Sequence, residues 1–225
     1  MIYKYLVGVI FMAVLVACEE SQAVTLAFRR LGVPAFSCDI KPCSGGHPEW
    51  HIIGDARELL CSPCCFFTQS GDWHFVSSWD LLIAHPPCTY LTKAGSNHLF
   101  SHGQINQTRY AAGLEAKEFF MTFYDAPIPR KCIENPVPLS IFQLPPYSQI
   151  VQPFYFGDPW YKTTCLWLTG LPPLMFWGAC IPEFHWVASD IYPNDSRPGY
   201  KSAALRSKTS PALAAAMADQ WVGYL

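Results

Sequence analysis

Short apolar runs recur along this chain, separated by stretches with a helical spacing of apolar positions. Val14-Leu15-Val16-Ala17 is the first run. Four to eight consecutive apolar residues bounded by turn residues suit a strand buried on both faces. Glu19-Glu20-Ser21 then reads as a turn and a helix start. Residues 22–31 repeat apolar positions at helical spacing (Val24, Leu26, Ala27, Leu31), and Gly32 stops them. Ala35–Asp39 is a second strand ending in an acid, and after a Gly/Pro loop residues 51–55 form a third, also ending in an acid. Residues 56–78 are irregular and cysteine-rich. Residues 80–84 form a fourth strand, and 97–108 a polar loop. A helix over 109–124 carries an apolar stripe of Leu114, Ala116, Phe119, Phe120 and Phe123. Residues 131–134 give a fifth strand, 150–156 and Thr164–Thr169 two more β segments, and 171–200 little regular signal. An Ala-rich helix over 210–221 closes the chain. Strands alternating with helices at this spacing predict an α/β fold with a doubly wound, mostly parallel sheet.

Composition narrows the picture. The 225 residues are 51% hydrophobic and only 14% charged, which excludes a disordered chain and suits one domain. The net charge of -2 argues against a strongly basic nucleic-acid binder without excluding one, since local patches matter more than totals. Arg197, Lys201, Arg206 and Lys208 form a modest basic strip without an acid between them, which is equally the composition of a solvated loop. Of the ten cysteines, Cys38, Cys132 and Cys165 lie inside strand-like runs, where they act as small buried hydrophobes. That usage predicts a reduced, cytoplasmic protein. Cys61-Ser62-Pro63-Cys64-Cys65 has the spacing of half a zinc knuckle, but no second Cys/His pair completes it, and no metal site is expected. The N-terminus has two readings. Residues 1–17 with Cys18 resemble a lipoprotein leader and its processing site. Alternatively Val14–Ala17 is the first core strand and residues 1–11 an upstream extension. The polar turn, the helix and the acid-ended strand after Ala17 favour this second reading, and the apolar run is also short for a membrane span.

Candidate chemistry gathers at predicted strand ends. In Ile83-Ala84-His85-Pro86-Pro87-Cys88-Thr89-Tyr90-Leu91-Thr92-Lys93-Ala94-Gly95 two prolines end a strand and a cysteine follows. The carboxyl ends of strands are where open α/β sheets bind ligands, so Cys88 is a candidate nucleophile. Cys132-Ile133-Glu134-Asn135-Pro136 ends another strand in an acid. Asp39 and Asp55 stand where carboxylates can accept from a nucleoside's ribose hydroxyls and adenine amino group; alone, each is equally a turn or cap residue.

Together these segments resemble the DNA cytosine-C5 methyltransferase family, in the form of a short, phage-like member without a full target-recognition domain. Pro87-Cys88 through Gly95 is similar to the family's Pro-Cys loop, and Glu134-Asn135 to its Glu-Asn-Val. Asp39 and Gly54-Asp55 match the acids after its second and third strands. Gly157-Asp158-Pro159-Trp160-Tyr161-Lys162-Thr163-Thr164 resembles its Gly-x-Pro-Gln-x-Arg-x-Arg segment, with Lys162 and Thr164 in place of the arginines. Ser207-Lys208-Thr209-Ser210-Pro211 loosely resembles the segment that completes the cofactor pocket. The first turn, Ala17-Cys18-Glu19-Glu20-Ser21, departs from the pattern by lacking glycine.

The resemblance implies a Rossmann-like fold of the S-adenosylmethionine-dependent methyltransferase type. It implies methyl transfer to C5 of a flipped-out cytosine in DNA, with no membrane partner. Cys88 adds to C6, and a site that lowers its pKa is expected, with His85 and Lys93 as contributors. Glu134 meets N3 and the exocyclic amine, with a raised pKa; Lys162 is the pocket cation. S-adenosyl-L-methionine falls to Ala17, Cys18, Glu19, Glu20, Ser21, Asp39, Ile40, Asp55, Ala56 and Pro86, with Glu19 or Glu20 meeting its ammonium. Pro87, Thr89, Thr92 and Asn135 fall to the substrate, and the loop from Thr89 to Thr108, with Asn97, Gln104 and Asn106, to closure over it. By domain, 12–170 is catalytic and cofactor-binding, 171–206 a reduced target-recognition-like segment, and 207–225 a helix returning to the catalytic domain. The short 171–206 segment and near-neutral charge leave open the same chemistry on RNA or a free nucleotide. The glycine-free turn leaves open an inactive, nucleic-acid- or partner-binding relative.

Overall fold

The computed structural model describes residues 10, 12–92, 99–101, 103–158, 160–176, 186–187 and 208–225. In chain order the elements are β1 (Val14–Ala17), α1 (Ala23–Arg30), β2 (Ala35–Asp39), β3 (His51–Ile53), β4 (Cys64–Phe67), β5 (Trp73–Val76) and β6 (Leu81–Ala84). They continue as β7 (Phe100–Ser101), β8 (Gln104–Ile105), α2 (Gln107–Tyr124), β9 (Lys131–Asn135), β10 (Gln149–Val151), β11 (Trp160–Tyr161), β12 (Thr164–Thr169), β13 (Trp186–Val187) and α3 (Pro211–Trp221).

Seven strands form the central sheet in the order β3-β2-β1-β6-β9-β12-β10. The five from β3 to β9 run parallel. β12 is antiparallel to both neighbours. The chain runs outward from β1 through β2 to β3, then returns to start the other half at β6. This is the expected doubly wound, Rossmann-like α/β sheet. The reversal falls between β1 and β6, whose connections leave in opposite directions and open a crevice at their carboxyl ends. Register places Ala17 beside Ala84, and Ala84 beside Ile133, so three loops leave the sheet edge together.

The period of two within each strand divides the core. Val14, Val16, Leu81 and Ile83 face Val24 and Phe28 of α1 and Leu213, Met217 and Trp221 of α3. Leu15, Ala17, Leu82, Ala84 and Ile133 face Phe120 and Phe123 of α2 and Phe66, Val76 and Trp79. Each large apolar side chain fully buried this way contributes roughly 1.5–3 kcal/mol. Val14–Ala17 is therefore the central core strand.

Several expected elements are corrected. Residues 56–78 are not irregular: β4 and β5 pair as an antiparallel hairpin that covers the sheet where a helix was otherwise needed. Cys64 and Phe66 point inward while Cys65 and Phe67 are exposed. Both faces are apolar, which hides the alternation in the sequence. The inner face stacks Phe66 on Trp79 at 5.9 Å. The α2 stripe does not include Leu114, which is 40% exposed. The seam runs through Gly113, Phe120 and Phe123. A Cβ at Gly113 would lie 2.2 Å from the Phe142 ring, so the helix approaches there only because the residue is glycine. Residues 150–156 split into β10 and a 3-10 turn, Pro153–Phe156, because proline cannot continue the ladder. Part of the 97–108 loop is the β7–β8 ribbon.

All described cysteines are free, and Cys38, Cys132 and Cys165 are buried. Among the described residues, no helix is long and apolar enough to cross a membrane, and no group of three or more His, Cys, Asp or Glu is placed to hold a metal. Most of 171–206 lies outside the described residues, as do Arg197, Lys201, Arg206, Lys93 and Asn97.

Candidate active site

Beyond Ala84 the backbone makes one more ladder bond, from His85 N to Ala17 O at 3.0 Å, before the prolines end the strand. The next turn is pinned from every side. Asn135 donates through Nδ2 to Pro86 O at 2.8 Å. Leu91 N and Thr92 Oγ1 both donate to Cys88 O at 3.1 Å. Arg109, in the first turn of α2, donates to Thr89 O at 2.7 Å and lies 4.2 Å over the Tyr90 ring. Cys88 thus sits half-buried on a fixed turn, with Pro87 and Thr89 exposed beside it. Of the predicted substrate residues, Thr92 and Asn135 are buried and spend their donors on this loop's backbone. Asn135 Oδ1 is buried with no hydrogen-bond partner among the described residues.

Glu134 comes from β9, the strand next to β6, and its side chain is buried. His85 Nδ1 lies 3.2 Å from Glu134 Oε2. The Thr164 hydroxyl on β12 stands beside the carboxylate, and its single proton also has Lys162 O in reach at 2.9 Å. Burial pushes the Glu134 carboxyl up, but the charge of Lys162 and the hydrogen bonds from His85 and Thr164 outweigh it, and the group is held below the usual range. This corrects the expected raised pKa. Cys88 is corrected too. Burial and then the Glu134 charge push its thiol up, and Lys162 only partly opposes them. Near neutral pH the pocket therefore holds a thiol and a carboxylate. The expected helper His85 is engaged with Glu134 instead of lowering the thiol.

The C-terminal segment completes the site. Lys162 Nζ donates to Lys208 O at 3.2 Å. Thr209 Oγ1 lies 3.4 Å from His85 Nδ1. Ser210 caps α3 and bonds Asp158, which also accepts from Ala212 N. Lys208 Nζ reaches back to Ser44 Oγ at 2.8 Å and to Glu20 Oε1 at 3.7 Å. His85's adjacency to Pro-Pro-Cys was a visible signal, though its partner was not; Thr164 stood only as a replaced arginine, and Thr209 only within a loose match.

On the other side of the crevice, the glycine-free first turn forms with two residues in the left-handed region, Cys18 (φ 60°) and Gln22 (φ 59°). The glycine that allows close backbone approach stands on the facing loop: a Cβ on Gly45 would meet Ser21 O and Gln22 Cβ at 2.6 Å. Ser44 N donates to Glu20 O at 2.8 Å in the same contact. The two acids of the turn divide. Glu19 is turned inward, accepting from Val24 N at 2.6 Å, Thr25 N at 3.2 Å and Thr25 Oγ1 at 2.8 Å. Glu20 stays partly exposed, beside Lys208. Burial pushes the Cys18 thiol well up, with Asp39 and Cys38 adding to it. Asp39 accepts from Lys41 N at 3.0 Å through Oδ1. Next to it Ile40 is 76% exposed, an apolar side chain with nothing described over it. Asp55 accepts from Arg57 N and pairs with the Arg57 guanidinium, which holds it below the usual range. Ala56 is buried under this turn.

No family model matches this chain, and no curated protein matches it. Among solved structures it is similar to the Entamoeba histolytica methyltransferase EhMeth, at 16% identity and a TM-score of 0.37. The match covers 83% of this chain and 61% of that one, so this chain spans less than two thirds of that relative's length. The fold assignment rests on the strand order rather than on this likeness.

Proposed function

We propose that the chain is an S-adenosylmethionine-dependent methyltransferase acting on C5 of cytosine in DNA, through a covalent bond from Cys88 to C6. One observation carries the reading: Cys88, Glu134 and Lys162, from three separate segments, stand close enough at the sheet's carboxyl edge for the Lys162 charge to lower both the Cys88 thiol and the Glu134 carboxyl and for Glu134 to raise the thiol. The crevice fits the cofactor in its donor set. Asp39 has acceptor capacity left for ribose hydroxyls, the exposed Ile40 gives a face for the adenine ring, and Glu20 is the carboxylate left for an ammonium. Cys18 and Ser21 share the turn of Glu20 after Ala17 of β1, while Asp55 and Ala56 follow β3 and Pro86 follows β6. When bound, S-adenosylmethionine supplies an electrophilic methyl group on a sulfonium.

The rest follows from this chain's residues. C5 of cytosine is a poor nucleophile until sulfur adds at C6. The thiol proton of Cys88 and the anionic Glu134 are complementary. As Sγ bonds C6, the thiol proton passes to Glu134 and from it to N3, so the ring's displaced electron pair is neutralised where it collects. Lys162 stabilises both the thiolate and the carboxylate during the exchange. After methylation a base removes the C5 proton, the C6–S bond breaks, and N3 returns its proton. Reaching the base within duplex DNA requires flipping it out.

The net charge of -2 and the short 171–206 segment favour a second reading, the same chemistry on RNA or a free nucleotide. Transfer of labelled methyl from S-adenosylmethionine to unmethylated duplex DNA, RNA and cytidine nucleotides decides. The expected outcome is label in duplex DNA, lost by at least about 1,000-fold in Cys88→Ser. Label in RNA or nucleotide alone selects the second reading. No label in any substrate overturns both.

A further inference from the structure

His85 touches both halves of the site, Glu134 through its ring and Ala17 through its backbone. Its side chain is 8% exposed and lies against the 9% exposed Glu134, 3.2 Å away. An ionised carboxylate only accepts hydrogen bonds, so this contact requires the proton on Nδ1. Thr209 Oγ1 lies 3.4 Å from the same nitrogen, and the His85 backbone is tied to Ala17 of β1. Nε2 is buried and has no hydrogen-bond partner among the described residues. Burying a polar atom without a partner costs roughly 1–3 kcal/mol. A purely packing role does not require such a residue. Alanine or leucine would fill the space without that penalty.

The charged groups around the ring come from every side of the crevice. Glu134 is on β9. Glu19 lies in the first turn, close enough that His85 lowers its carboxyl against a larger upward push from burial. Lys162 and the Cys88 thiol are each coupled to Glu134. Thr209 is neutral.

We propose that His85 is the positioning residue of this site: its Nδ1–H fixes Oε2 of Glu134, leaving Oε1 for the ring and keeping the carboxylate free to receive the Cys88 proton. The inference rests on the methyl-transfer reading for its role in turnover, but the His85–Glu134 coupling stands on the protein alone. His85 moves no atom of the substrate. It sets where Glu134 points and how readily it takes a proton.

The test pairs His85→Leu, which removes the donor, with His85→Asn, whose amide nitrogen can donate from near the place of Nδ1 but cannot titrate. Thermal melting of both checks folding. Carboxyl ¹³C NMR, with Glu134 assigned through Glu134→Gln, reads the coupling without substrate. The Glu134 midpoint should rise by about one unit in His85→Leu and stay low in His85→Asn. In methyl transfer, His85→Leu should lose about 10- to 100-fold in kcat, with KM for S-adenosylmethionine within about threefold. Its acid limb should move to higher pH, and His85→Asn should recover most of the rate. If His85→Leu does not fold, the Glu134 midpoint in His85→Asn still decides: a midpoint above the usual range overturns the proposal. A Glu134 midpoint unmoved in folded His85→Leu overturns it whatever the activity. So do equal rates for the two variants. Absence of methyl transfer in the wild type, with the NMR shifts as expected, overturns the function and confirms the coupling.

Discussion

Cys88 and Glu134 hold their proton in the reverse of the arrangement their sequence context suggests, and this has a sign that can be measured. Burial raises the thiol, Glu134 raises it further, and Lys162 lowers it. Alkylation consumes thiolate, so its rate at a fixed pH below the thiol's midpoint tracks the thiolate fraction. Glu134→Gln removes a negative neighbour, lowers the midpoint and speeds alkylation of Cys88. Lys162→Met removes the positive one, raises the midpoint and slows it. Each change should be several-fold, since a single pKa unit is tenfold in thiolate. Iodoacetamide labelling across a pH series, read on the Cys88 peptide by mass spectrometry, checks both signs; slowing in Glu134→Gln would sink the electrostatic account. At this scale residue types were legible in the sequence and signs were not. Pro-Pro-Cys and Glu-Asn marked the pocket because their identities are unusual at strand ends. The direction of each shift depends on burial and on Lys162 and Thr164, which arrive from β12 and its approach and cannot be read from local spacing.

Among the elements, α1 shows how the first turn is held without glycine. The helix begins after Gln22, whose side chain is occupied with both the N–H and the carbonyl of His47 and does not cap. Glu19 does the capping from outside the helix, satisfying Val24 N and Thr25 N. These are donors that an α-helix leaves open at its start. Glu19→Ala should therefore destabilise the protein by about 1–2 kcal/mol, read as a lower urea midpoint with an unchanged m-value. An unchanged midpoint would mean that water replaces the carboxylate without loss, and the buried cap would be wrong. The elements themselves were largely legible: the all-apolar β1 and β6 and the Gly32 stop of α1 announce themselves by period and punctuation. The β4–β5 hairpin did not, because its outward positions, Cys65 and Phe67, are as apolar as its inward ones. Leu114 misled for the opposite reason. Its helical spacing is right, but the closest approach of α2 requires a missing side chain, at Gly113.

At the scale of the whole molecule the last helix joins the fold to the site. α3 covers β1, β6 and β9 with Leu213, Met217 and Trp221, on the face that α1 covers only in part. Trp221 is fully buried, and its indole N–H donates to Pro172 O at 3.1 Å. The residues just before the helix, Lys208 to Ser210, reach Glu20, Ser44, Lys162 and His85. Seating α3 therefore fixes both a core face and the wall between the two halves of the crevice. Trp221→Ala removes the largest side chain in that contact and leaves a cavity beside β1. It should cost about 3–5 kcal/mol, which for a chain of this size lowers Tm by roughly 6–20 °C. Trp221→Phe keeps most of the volume but loses the bond to Pro172 and should cost less than half as much. Because the strap hangs from the same helix, the Trp221→Ala protein held well below its new Tm should also alkylate Cys88 differently from wild type, while Trp221→Phe should not. Scanning calorimetry of the two variants measures the first effect and peptide-resolved labelling the second. A large loss of Tm with Cys88 reactivity unchanged would show that α3 serves the core alone and that the 208–210 strap is held by its own contacts.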